Sequence, residues 1–131
     1  MKKAFLFLSF LGFLNLGLQA QDNPVAKADS IIFNNKVHDY GTIEQGGDGT
    51  CEFEFTNAGK EPIVLTSVRS SCGCTIPEWS REPVLPGQTS VIKVKYDTRR
   101  LGVINKVIIV NSNAINSTVI LRITGNVVEK P

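Results

Sequence analysis

The residues in this chain best suited to chemistry are two thiols set two positions apart, in Ser71-Cys72-Gly73-Cys74-Thr75. This spacing admits four uses. Cys72 and Cys74 can close on each other and lock the exit from a strand. One of them can bond Cys51 and tie two strands together. Both can stay reduced and clamp a soft metal, for which Cu(I) is the natural candidate with two thiolates. Finally, the pair can exchange disulfides with a partner protein. Two thiolates are too few for a closed zinc site, which takes four ligands. In an extended strand, Cα atoms two residues apart are ~6.6–6.8 Å from each other. Disulfides take roughly 4.4–6.8 Å, so a Cys72–Cys74 bond requires the chain to tighten at Gly73, and glycine permits such a bend. A ring this small is expected to be strained and readily reduced. The structural use is favoured, because buried cysteines are common and inert.

The other candidate groups are few. Cys51 alternates in phase with Phe53 and Phe55 and is expected to be a buried thiol acting as a small hydrophobe, with a third ligand or resolving thiol as the sharper alternative. Trp79, Arg69 and Arg81 flank the cysteine motif. Trp79 and Arg69 are of the types enriched in interface hot spots, and Trp79 can equally fold back over the open end of a sandwich. His38 is the only histidine, which excludes a histidine metal cluster. There is no nucleophile elbow, phosphate-cradling loop or dinucleotide fingerprint. Asn116-Ser117-Thr118 fits a glycosylation sequon. No enzyme is expected from this inventory, and no cofactor outside the copper alternative.

The elements that must position these groups are strands. From Ile31 onward, short alternating runs separated by turn residues recur, with no helical periodicity. The runs are Ser30 to Phe33 with a continuation at Lys36 to Tyr40, Thr50 to Thr56, Pro62 to Val68, Thr89 to Asp97, Val103 to Val110 and Ser117 to Val128. Pro77 to Gln88 holds three prolines and at most a short edge strand. About seven strands with turns at this spacing indicate an all-β, immunoglobulin-like antiparallel sandwich. Its second and fifth strands are then neighbours, which lets Glu52 and Glu54 face Lys93 and Lys95 on a solvated surface. The run Val107-Ile108-Ile109-Val110 is apolar on both faces. Either it is a covered central strand, or Ile108, Val110 and Ile120 form an apolar strip for another chain.

The first twenty residues differ from the rest. Met1-Lys2-Lys3 precedes an apolar run from Ala4 to Leu18 and the small residue Ala20, the pattern of a secretory signal peptide over residues 1–20. A polar leader over 21–29 and one domain over 30–131 follow. Lys2 and Lys3 leave with the signal, so 14 basic residues become 12 against 12 acidic ones. A neutral mature chain argues against nucleic acid as a partner, and cleavage would leave no membrane span. Export brings an oxidising environment. Three cysteines then allow one internal disulfide and leave one thiol.

Six segments in order carry a resemblance. They are His38-Asp39-Tyr40-Gly41-Thr42-Ile43; Phe53-Glu54-Phe55-Thr56-Asn57 with Gly59-Lys60-Glu61-Pro62; Ser71-Cys72-Gly73-Cys74-Thr75-Ile76-Pro77; Leu85-Pro86-Gly87; Val94-Lys95-Tyr96-Asp97-Thr98; and Val110-Asn111-Ser112-Asn113. Over about Phe33 to Val128 the chain resembles the domain-of-unknown-function 1573 family of small exported proteins from Gram-negative bacteria. The resemblance implies a sandwich of the Hydin and major-sperm-protein type, a kind that binds partners, and a periplasmic or outer-envelope location. It brings no established activity, substrate or cofactor, and no role for Cys51. The expectation is a non-enzymatic exported module that binds protein partners. The alternative is a thiol-redox or Cu(I)-binding protein using Cys72 and Cys74.

Overall fold

A computed structural model describes residues Ser30 to Pro131. The expected signal segment and leader, residues 1–29, lie outside the described residues. Eight strands follow in chain order: β1 (Ile31–Phe33), β2 (Val37–Glu44), β3 (Thr50–Asn57), β4 (Leu65–Ser70), β5 (Thr75–Trp79), β6 (Thr89–Tyr96), β7 (Gly102–Ser112) and β8 (Thr118–Val128). They form two four-stranded sheets, β1-β3-β6-β5 (the front sheet) and β2-β8-β7-β4 (the back sheet). No helix among the described residues is long and apolar enough to cross a membrane.

The all-β immunoglobulin-like sandwich is as the alternation predicts, with two differences. The N-terminal run, expected as one strand with a continuation, is two strands in opposite sheets. β1 pairs antiparallel with β3, and β2 pairs with β8. The chain crosses between sheets at residues 34–36 and keeps running in the same direction, so β2 lies parallel to β8. The sandwich is therefore not wholly antiparallel. The second difference is β5, a five-residue strand that includes Pro77. It pairs only with β6 and forms the sheet edge, where a residue without an N–H is tolerated.

Alternation decides what enters the core. On β3, Cys51, Phe53 and Phe55 point inward while Glu52 and Glu54 point out. Phe55 meets the Phe33 ring at 5.3 Å between centroids, within the range of favourable aromatic pairs. Ile92, Val94 and Tyr96 of β6 add to this front layer. From the back sheet, Val68, Ile104, Ile108, Val110, Leu121 and Ile123 fill the facing layer. Outside, β3 and β6 are in register as expected, with Glu52 directly opposite Lys93. Glu54 stands opposite Val91 and accepts a hydrogen bond from Asn34 Nδ2 at 2.6 Å.

Two asparagines hold the loops. Asn57 is fully buried; its Nδ2 donates to the carbonyls of Glu61 (2.7 Å) and Val84 (2.8 Å), and its Oδ1 accepts from Gly59 N (2.8 Å). Asn116, in the β7–β8 hairpin, donates Nδ2 to the Ile31 carbonyl at 2.8 Å, and its Oδ1 accepts from the backbone N–H groups of Ser30 and Ile31. The amide nitrogen of the sequon is thus a structural donor that anchors the first strand.

Candidate functional site

The cysteine motif sits where the chain changes sheets. β4, an edge of the back sheet, ends at Ser70, and β5, an edge of the front sheet, begins at Thr75. The four residues between them form the corner. Ser71 N donates to the Val107 carbonyl at 3.0 Å, which fixes the start of the corner to β7. Asp97 N donates to the Cys74 carbonyl at 2.8 Å, which fixes its end to the loop after β6. Cys72 and Cys74 are bonded to each other, with Cα atoms 5.3 Å apart. The chain has tightened well below the ~6.6–6.8 Å of an extended strand. Gly73 achieves this without a positive φ, and open space surrounds the position a Cβ would take. Glycine is therefore permitted at the corner rather than demanded by it.

The two sulfurs have different surroundings. Cys74 is buried at 3% exposure, and the Thr75 hydroxyl lies 3.7 Å from its Sγ. Cys72 is half-buried, and the backbone N–H of Cys74 points at its Sγ at 3.2 Å. While the bond stands, neither thiolate is available to a metal. Among the described residues, no group of three or more His, Cys, Asp or Glu side chains is placed to hold one. Closing a loop this short (sequence separation 2) adds only about 1.5 kcal/mol to stability in the chain-entropy account, against ~3 kcal/mol for a 15-residue loop.

Cys51 is free and buried, as its phase with Phe53 and Phe55 predicts. It pairs with Val94, and the Cys74 carbonyl bonds to Asp97, three residues further along β6 and beyond it. Two strand spacings and three residues separate Cys51 from Cys74 by about 14 Å. That is twice the reach of a disulfide, so Cys51 is neither a bonding partner nor a resolving thiol in this fold. Its Sγ lies 3.5 Å from the Tyr40 hydroxyl. Burial pushes the Cys51 thiol above its ordinary pKa. Burial, followed by the contact with Cys51, raises the Tyr40 phenol too.

The remaining sequence candidates are sorted by the sheet faces. Ile108 and Val110 are 0% and 1% exposed and point into the core, so they form no partner surface. In a strand that is apolar on both sides, the alternate residues Val107 and Ile109 are the outward pair, and both are half-buried. Ile120 is outward at 46% exposure, directly opposite Ile109. Arg69 is exposed on the same outer face, opposite Ile109 from the other side. It therefore points away from the inward sulfurs. Trp79 lies opposite the buried Ile92, faces inward and packs against the core. The Arg81 guanidinium lies over its ring at 4.9 Å. Trp79 packs along the edge of the sandwich and is no exposed anchor; its Nε1 is buried with no hydrogen-bond partner among the described residues. His38 is on β2, edge-on to the Tyr40 ring, and three strands away from the cysteine corner.

A cleft beside the corner goes unannounced by any motif. An open cleft of about 810 Å³ lies between the β2–β3 turn (Gly46 to Gly49), Gly73–Cys74 and the loop Asp97 to Arg99. Its floor is the row Thr50, Lys95 and Ile76 on the outer face of the front sheet. The walls are tied together: Thr98 Oγ1 donates to the Gly47 carbonyl at 2.6 Å, and Gly46 N donates to the Thr98 carbonyl at 3.1 Å. Arg99 is held by a two-point pair with Asp97, at 2.9 and 3.0 Å. These bonds to Arg99 hold the Asp97 carboxyl down at a pKa of about 2. A cleft assembled from three loops distant in sequence leaves no local pattern to read.

The fold defines a class, the immunoglobulin-like β-sandwich. Solved structures of that class match at low identity. The ASH / PapD-like domain 7 of human CEP192 superposes with a TM-score of 0.68 at 12% identity, over 88% of this chain and 99% of that domain. A protein of unknown function from Porphyromonas gingivalis gives 0.66 at 16% identity, over 75% of this chain and 46% of that one. The YadV chaperone gives 0.55 at 9%, over 74% and 51%. The chain thus spans about half the length of the last two. No curated protein matches it in sequence. The profile of the family described as "Protein of unknown function (DUF1573)" matches residues 31–127, and the chain belongs to that family.

Proposed function

We propose that this chain is a non-enzymatic, exported module of the cell envelope that binds a protein partner through the outer face of its back sheet. The single observation that carries this reading is the composition of that face. Val37, Arg122 and Val107 form one row across β2, β8 and β7, and Ile120, Ile109 and Arg69 form the next across β8, β7 and β4. Four apolar side chains share these two rows with two arginines, Arg122 in the middle of one and Arg69 at the end of the other, with no carboxylate in either row. Val37 and Ile120 are 55% and 46% exposed.

The sheet edges support a face rather than strand addition. β1 has three residues, and β5 carries Pro77. β2 is interrupted by a register shift between Asp39 and Thr42, with Gly41 at φ 68°. β4 has six residues and a register shift of its own. Short, bulged or proline-bearing edges discourage pairing with another chain. A partner that fits the face presents apolar side chains flanked by carboxylates, complementary to Arg69 and Arg122. Likeness to a chaperone and to PapD-like domains agrees with protein binding.

Crosslinking in envelope extract, followed by identification of the captured protein, tests the proposal. The complex is expected to be lost in Ile120→Glu and in Arg69→Glu, weakened by salt, and retained in Val91→Glu on the opposite sheet. Capture that is indifferent to the first two changes, or no capture, overturns it. Cell fractionation tests the location; a cytoplasmic protein overturns the export reading.

A further inference from the structure

The disulfide at the corner has an asymmetry that protein binding does not use. We infer that Cys72–Cys74 is a reversible thiol–disulfide exchange site for a protein dithiol, with Cys72 the sulfur that is attacked and Cys74 the one released. Three observations carry it. First, the ring closes so short a loop that its oxidation adds little to fold stability, and the corner is held without it by the Ser71–Val107 and Asp97–Cys74 hydrogen bonds. The bond can open while both sheets stay in place. Second, access is one-sided: Cys72 is half-buried, whereas Cys74 is 3% exposed. Exchange runs through the sulfur an incoming thiolate can reach.

Third, the surroundings favour Cys72 as the thiolate of the reduced pair. The Cys74 N–H already points at its Sγ at 3.2 Å, and a hydrogen bond to a thiolate stabilises it. The Cys72 backbone N–H is itself held by Ser70 Oγ at 3.2 Å, which fixes the turn at this residue.

A partner thiolate attacks Cys72 Sγ, and a mixed disulfide forms as the Cys72–Cys74 bond breaks. Cys74 leaves as a thiolate, beside the Thr75 hydroxyl, and takes up a proton. The partner's second thiolate then attacks its own sulfur in the mixed bond. Cys72 leaves as a thiolate and is in turn protonated, and the partner departs as a disulfide. The partner dithiol loses two electrons and two protons, and the Cys72–Cys74 pair gains them.

The test uses the full chain under native conditions. Dithiothreitol stands in for the partner dithiol, with alkylation and peptide mass mapping as the readout. Cys72 and Cys74 are expected to be alkylated together while Cys51 stays unmodified, which shows the fold is intact. In Cys74→Ser, glutathione disulfide is expected to form an adduct at Cys72 on the order of 100-fold faster than at Cys74 in Cys72→Ser. If either variant fails to fold, acid-quenched wild-type protein caught with reduced glutathione gives the same information from the position of the mixed disulfide. Reduction that proceeds only as fast as Cys51 becomes exposed overturns the inference, as does an adduct on Cys74 in preference to Cys72.

Discussion

The Tyr40 hydroxyl lies 3.5 Å from Cys51 Sγ and donates its proton to the Gly49 carbonyl at 2.5 Å. Through this contact the edge strand of the back sheet reaches across to the front sheet and to the turn that walls the cleft. Tyr40→Phe removes one of the two donors to that carbonyl, leaving the Tyr96 N–H at 2.9 Å, and is expected to cost about 0.5–1.5 kcal/mol. The urea midpoint would show it, with an unchanged slope.

The same pair makes stability depend on pH in one direction. Burial raises Cys51 above its ordinary value, so the folded chain holds this proton more tightly than the unfolded chain does. The Cys51 contribution is therefore fully present below the unfolded thiol value of ~8.5 and is lost as pH rises toward the folded one. Urea titrations between pH 7 and 10 should show stability flat at first and falling above ~8.5. Cys51→Ala should delay the fall until Tyr40 begins to titrate in the unfolded chain.

Neighbouring isoleucines on β7 should respond differently to the same change. Ile108 is 0% exposed and Ile109 is half-buried on the outer face. Ile108→Ala is expected to cost about 2–5 kcal/mol, and Ile109→Ala less than about 1.5 kcal/mol. Equal losses, measured by denaturant unfolding, would contradict the inward–outward assignment.

Asn57 spends its whole amide on loop backbone. Asn57→Ala removes one donor from each of the Glu61 and Val84 carbonyls and the acceptor of Gly59 N, while Val84 keeps the Ile63 N–H, and should destabilise by about 1–3 kcal/mol. Asn57→Asp is expected to be no better, since it lacks the two donors. Calorimetric melting of the three proteins decides this.

Glycines near the cleft are not equivalent. A Cβ at Gly49 would collide with the Tyr96 carbonyl oxygen, whereas a Cβ at Gly73 meets nothing within 4 Å. Gly49→Ala should lower the melting temperature by several degrees, while Gly73→Ala folds as wild type and keeps its disulfide. A reduced pair in Gly73→Ala, read by thiol titration, would show that glycine is required there after all.

Much of the sandwich was legible because period-two alternation marks burial directly. Cys51, Phe53 and Phe55 could be assigned to the core from their phase alone. Where both phases are apolar the signal vanishes, and that is why Ile108 and Val110 appeared as surface candidates when their neighbours Val107 and Ile109 face out. Alternation also cannot say which sheet a strand joins. Residues 34–36 look like a pause in one strand and are a crossing between two sheets. At the corner, spacing limited Cys72 and Cys74 to a bonded turn or two parallel thiols, and the structure has the turn. The difference in burial between the two sulfurs comes from packing across the sandwich. No local pattern carries it.

The parallel pairing of β2 with β8 also governs the order of assembly. Every ladder partner of β2 lies between Arg122 and Val128. β1 can join β3 as soon as residues 34–57 are made, but β2 has no place to go until the last strand is present. That closure spans most of the domain, and long-range contacts of this kind slow folding. During synthesis, β2 and its row, with Val37 exposed on it, stay unpaired until β8 arrives. The two ends of the domain become structured together, and removing the last dozen residues would release the first back-sheet strand as surely as deleting it.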